Sequence, residues 1–174
     1  ILTLPDTVNI ENQIKQLYID YPDFTPYFVE DIIQANLKDT NEVVQLLKNF
    51  KSNTEFKQVN TDVKRTFSNM DSITNSIKIA YYNLNKEFPE IKTPPVYFFV
   101  SGFNRAIILE DKFVGVGLDL YLGNTYPKYA ALNYQYMLFN MRPESIPSEL
   151  ISGMLFKHFW FDGNQDRLLE QMLY

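Results

Sequence analysis

The stretch Val114-Gly115-Val116-Gly117-Leu118-Asp119 constrains this chain more than any other segment. Val114, Val116 and Leu118 alternate with Gly115, Gly117 and Asp119, the period-two pattern of a strand. Glycine inside a strand packs nothing and loses backbone entropy, so two of them mark a place where another backbone or a ligand comes close. The strand runs into an aromatic segment holding Tyr121, Tyr126 and Tyr129, punctuated by Gly123 and Pro127. Asp119 sits at the junction and has two readings. It can cap the amides of a turn, or it can line a ligand site at the end of the strand.

Around this segment the hydrophobic period is helical. Ile10, Ile14, Leu17, Tyr18 and Tyr21 share one face, and Tyr21-Pro22-Asp23 ends that helix. Thr25 followed by Pro26 reads as a cap and first position of a second helix. Asn41 opens a third with Val43, Val44, Leu46, Leu47 and Phe50, and Asn53 a fourth with Phe56, Val59, Val63 and Phe67. Asp71 caps a fifth, ended by Phe88-Pro89. No residue pattern repeats at a fixed period, which excludes an α-solenoid. Pro95 to Ser101 reads as a buried strand, and Ala106–Leu109 with Phe113–Leu118 as a hairpin across Glu110-Asp111-Lys112. Links this short predict antiparallel neighbours. Helices return at Leu132, Tyr136 and Phe139, again from Ser145-Ile146-Pro147 to His158, and last at Leu168–Leu173 after an Asp162-Gly163-Asn164 turn. The expected class is α+β in one domain over 1–174: helices over 1–90, a small, largely antiparallel sheet over 95–118, helices over 130–174. The last helix carries no stop signal, so further protein is expected beyond it, and Ile1 is expected to follow a removed segment.

The inventory of reactive groups is thin. In 174 residues there is one histidine and no cysteine, which excludes disulfides, thiolate metal sites and a cysteine nucleophile. A net charge of −5 with scattered lysines argues against nucleic-acid binding. No nucleophile elbow or phosphate loop occurs, and Gly115-x-Gly117 lacks the third glycine of a dinucleotide fingerprint. A sheet followed by a helix carrying histidine invites comparison with zincin peptidases, whose H-E-x-x-H places two imidazoles one helical turn apart. Here that frame reads Met154-Leu155-Phe156-Lys157-His158. Methionine stands for the first ligand and leucine for the base, so no metal and no cofactor is expected. Glu30 with Asp31 and Asp162 with Asp166 are the remaining carboxylate pairs, readable as surface or turn residues.

Ser101-Gly102-Phe103-Asn104, followed by Gly117-Leu118-Asp119-Leu120-Tyr121-Leu122-Gly123, resembles the GldB family, gliding-motility-associated lipoproteins of the Bacteroidetes. Supporting matches are Tyr21-Pro22-Asp23-Phe24, the Phe88-Pro89 stop before Pro95-Val96-Tyr97, the Tyr126-Pro127-x-Tyr129 loop and Leu168 to Tyr174. The resemblance implies an exported lipoprotein of the cell envelope, tethered through a lipidated N-terminal cysteine outside this chain, and a zincin-like order of elements without the metal motif. It supplies no catalytic residues. The expected role is non-catalytic, through contacts with envelope proteins in surface motility or secretion, with Asp119, Tyr121, Tyr126 and Tyr129 as the candidate binding residues. The tyrosines can instead fold inward with only their hydroxyls wet. Two rival classes stay open: a hydrolase, either a zincin-like metallopeptidase remnant completed by residues beyond Tyr174 or a carboxylate-based enzyme, and a small-ligand-binding periplasmic domain with its cleft beside Asp119.

Overall fold

Asn53 accepts the Phe56 amide at 3.0 Å and caps the helix Thr54–Thr66, as its place before an amphipathic run requires. The computed structural model describes residues 10–131 and 135–159. The expectations on Leu132, the turn at Asp162, Asp166 and the Leu168–Leu173 helix lie outside the described residues, and Tyr136 is described in its backbone only. The α-helices are α1 Ile10–Asp20, α2 Phe24–Tyr27, α3 Thr40–Ser52, α4 Thr54–Thr66, α5 Asp71–Glu87 and α6 Ile146–His158. The strands are β1 Val96–Phe99, β2 Ile107–Leu109 and β3 Val114–Gly117.

Three helix starts differ from the sequence reading. Thr25 is no cap, for it lies inside α2 and its hydroxyl donates to the carbonyls of Leu17 and Tyr21 at the end of α1, each at 2.8 Å. Asp39 rather than Asn41 caps α3, accepting the amides of Asn41 and Glu42. Asp71 is the first residue of α5, not its cap, and its amide donates to Asn69. After α2 the helix widens to a π-type turn over Phe28–Ile32, with the Ile33 amide on the Phe28 carbonyl. Phe139 is 67 % exposed. Phe139, expected on the buried side of a helix, is therefore on the outside, and the described residues of this stretch form 3₁₀ turns at Pro127–Ala131 and Gln135–Asn140.

The sheet is mixed, in the order β1-β3-β2. β3 pairs antiparallel with β2, as the hairpin predicts, but parallel with β1. The link-length argument covers only strands joined directly. Here β2 is itself the return path: the chain reverses once into β2 and again into β3, and two reversals restore the direction of β1.

Both faces of the sheet are covered. Val114, Val116 and Leu118 join the main core with Val63 and Phe67 of the α4 segment, Leu84 of α5, and Leu150 and Met154 of α6. On the opposite face β3 presents only glycine. Phe99 and Ile108 lean over it there and pack with Phe24, Ile32 and Phe113. A Cβ on Gly115 would stand 3.1 Å from the Phe99 ring and 3.2 Å from Ile108, so the missing side chain makes room for its neighbours. α1, the π-type turn and α3 enclose a separate cluster around Val29, Val44 and Leu47.

Candidate functional site

β3 delivers Asp119 into a 3₁₀ turn at Leu118–Leu120, where it is completely buried. One carboxylate oxygen accepts the Ser101 amide at 2.7 Å. The other accepts the Phe103 amide and the Ser101 hydroxyl, the latter at 3.1 Å. The Ser101 hydroxyl oxygen in turn accepts the amides of Asn104 at 3.1 Å and Arg105 at 3.2 Å. Asp119 thus closes a clasp around the turn that follows β1. Within that turn Gly102 and Phe103 both take left-handed backbone, at φ +71° and +62°. For phenylalanine this conformation costs of order 1–2 kcal/mol, held in place by the surrounding bonds.

Gly117 completes the clasp from the strand side. A Cβ there would fall 2.0 Å from the Arg105 carbonyl oxygen, and the Gly117 amide bonds the Ala106 carbonyl at 2.8 Å. The backbone approach that the paired glycines signal is therefore the loop returning past β3. Burial pushes the Asp119 carboxyl above its ordinary value, while the Ser101 and Phe103 amides and the Ser101 hydroxyl pull the other way.

The candidate tyrosines close over this clasp. Tyr129 is 1 % exposed; its hydroxyl donates to the Asp119 carbonyl and accepts the Leu122 amide, both at 2.8 Å. Tyr121 is equally buried and donates to Glu149 on α6. Burial first, then the Glu149 hydrogen bond and charge, raises its pKa far above the usual phenol value. Neither ring offers an accessible contact surface. Tyr126 alone of the four is partly exposed; it donates to Asp62 at 3.0 Å, and its ring lies 5.1 Å from that of Tyr129. Asp62 also pairs with Arg65 at 2.9 Å and accepts Gln58, which ties the tyrosine loop to α4.

Burial, followed by the Asp62 hydrogen bond and charge, lifts the Tyr126 phenol to about 12 against an opposing effect of Arg65. A pKa raised on folding adds stability below the unfolded value near 10, lost as pH rises through the folded value. Tyr126→Phe is therefore expected to cost about 0.5–1.5 kcal/mol at pH 7 in urea unfolding. The difference from the wild-type protein should shrink between about pH 10 and 12.

His158 lies elsewhere, at the end of α6, where Nε2 stands 3.4 Å from Glu90. It lines a cleft of about 380 Å³ between the hairpin and α6, together with Lys92, Leu109, Asp111, Met154 and Lys157. Met154 and His158, one helical turn apart, face the same cleft. Lys157 closes one wall by reaching the Leu109 carbonyl and Asp111, each at 3.0 Å. Among the described residues, no three His, Asp or Glu side chains converge as metal ligands.

The partners in this site were not readable from the chain. Ser101 and Phe103 reach Asp119 across 18 and 16 positions, and Glu149 reaches Tyr121 across 28. Asp62 did leave a signal, since an acid beside Val59 and Val63 on the apolar stripe of α4 needs a buried partner. A family model described as Gliding motility protein GldB matches residues 3–174. No curated protein and no solved structure matches the chain.

Proposed function

This chain belongs to the GldB family, and from that premise we propose that it is a non-catalytic domain of an envelope lipoprotein, acting through protein contacts in surface motility or secretion-related assembly. One observation carries the non-catalytic part. The polar atoms of Asp119, Tyr121, Tyr126 and Tyr129 are all engaged in bonds within the chain, and three of these four residues are buried. Ser101 offers no better nucleophile, because it is buried, its hydroxyl donates to Asp119 and its oxygen accepts two backbone amides. Beside His158, the zincin-like positions hold Met154 and Leu155, a poor zinc ligand and a side chain that accepts no proton. The membrane tether is a lipidated cysteine outside this chain, and no described helix is long and apolar enough to cross a membrane.

The test is complementation of a strain lacking the gene, using the full-length lipidated protein with His158→Ala. Motility or envelope assembly is expected to match that of the wild-type protein at equal abundance. Loss of motility or assembly at normal abundance would show that His158 is needed and would count against the non-catalytic reading.

A further inference from the structure

We infer that the groove between α5 and α6 is the seat of this chain's own residues 165–174, returning antiparallel to α6. The inference goes beyond the contact-making reading and does not depend on it. The groove measures about 470 Å³, and its walls include Ala80, Leu84 and Phe88 on the α5 side and Pro147, Ile151 and Leu155 on α6. Glu87 is the one charged side chain among its described lining residues. The rims are apolar too. Ile79, one helical turn before Asn83, is 61 % exposed, and Phe156, one turn after Ser152, is 62 % exposed. Apolar surface gathered in this way marks a place where another element packs.

Connectivity selects the occupant. Phe88 closes α5 and Phe159 closes α6, and their ring centroids lie 5.5 Å apart. The two helices therefore end side by side, and the groove runs from that shared end toward Ala80 and Pro147. The chain that continues from Phe159 sets out from one end of the groove. Its sequence first gives Asp162-Gly163-Asn164, a turn signal. A link this short between helices makes them antiparallel neighbours.

Pattern and length agree with this path. Leu168, Leu169, Met172 and Leu173 fall on one helical face, and Asp166, Arg167, Glu170 and Gln171 on the other. As a helix, residues 165–174 would measure about 14 Å, against about 12 Å for the groove wall from Pro147 to Leu155. The apolar face meets an apolar groove, and the charged face stays in water. An occupied groove withdraws this surface from outside partners and braces α6, the helix that carries Glu149 and His158.

The test uses the full-length ¹⁵N-labelled protein with any cysteine outside these 174 residues replaced by serine. The chain itself has none, so one engineered cysteine carries a nitroxide label without ambiguity. Ser76→Cys places the label on an exposed site one turn before Ala80, at the far end of the groove, and Lys48→Cys places it on an exposed site of α3. The Ser76→Cys label is expected to broaden the amides of residues 165–174, more strongly at Met172 to Tyr174 than at Gln165 to Arg167. The Lys48→Cys label is expected to leave them sharp. Leu169→Asp with Met172→Asp, changes outside both groove walls, should erase the broadening and lower the melting midpoint by about 5–10 °C. Five results overturn the proposal: no broadening from Ser76→Cys, equal broadening from both labels, a gradient that is strongest at Gln165, broadening that survives the double aspartate variant, or broadening of an unlabelled ¹⁵N copy mixed with a labelled ¹⁴N copy, which would report a second molecule in the groove. None of these outcomes involves His158, so failure here is distinct from failure of the non-catalytic reading.

Discussion

Gly117→Ala is expected to destabilise the domain by roughly 3–5 kcal/mol and to lower its melting midpoint by about 10 °C. The added methyl would lie 2.0 Å from the Arg105 carbonyl oxygen. Backbone is the obstacle, so no side-chain rotation relieves the clash. The returning loop must move, and with it the Gly117–Ala106 hydrogen bond and the turn gripped by Asp119. Gly123→Ala is the control. Its φ is +111°, but a Cβ there meets nothing within 4 Å, so it bears only a conformational cost of roughly 1–2 kcal/mol. Denaturant unfolding of both variants separates the two mechanisms. A Gly117→Ala protein as stable as Gly123→Ala would contradict the close approach.

Asp119→Leu is expected to cost roughly 3–5 kcal/mol, because it leaves the Ser101 and Phe103 amides without an acceptor at about 1–3 kcal/mol for each buried group. The charge of the carboxylate opposes this, since burying it is itself unfavourable, and pH separates the two effects. Burial places the folded pKa of Asp119 above its ordinary value of 3.8. The folded protein then binds more protons than the unfolded chain between those values. The contribution of this group to stability is fully present below 3.8 and is lost as pH rises to the folded pKa. Asp119→Asn, with nothing to titrate, should lack that contribution to the slope while still costing about 1–3 kcal/mol at pH 7. An Asp119→Asn variant more stable than wild type at neutral pH would mean that desolvation outweighs the clasp.

Some local determinants were legible, although the caps expected at Thr25, Asn41 and Asp71 were not. Asn53 before its apolar stripe and the turn at Glu110-Asp111-Lys112 are cases where neighbouring residues decide the geometry. The order β1-β3-β2 was not legible, because link length constrains only strands joined directly, and β1 pairs with β3 rather than with the β2 that follows it. The widened turn at Phe28–Ile32 was not legible either; Phe24, just before it, packs against Tyr97, Phe99 and Phe113, contacts made across more than 70 positions of the chain. At the site, Asp119 and the paired glycines announced a close approach, but not that the approaching group is this chain's own Arg105. The tyrosines could be read as surface or as core because phenol suits both. Only their partners, Glu149, Asp62 and the Asp119 carbonyl, decide it.

Asp119 as a structural clasp is tested most directly by amide hydrogen exchange at Ser101 and Phe103, comparing wild type with Asp119→Asn. Asparagine has one acceptor oxygen, so in either orientation its amide group faces one of these donors. Protection is predicted to fall at least tenfold at Ser101 or Phe103, with the Gly117 amide in β3 changing only by the global loss of stability. Unchanged protection at both positions would show that Asp119 does not hold the turn, and would return it to the list of residues free to act on a ligand.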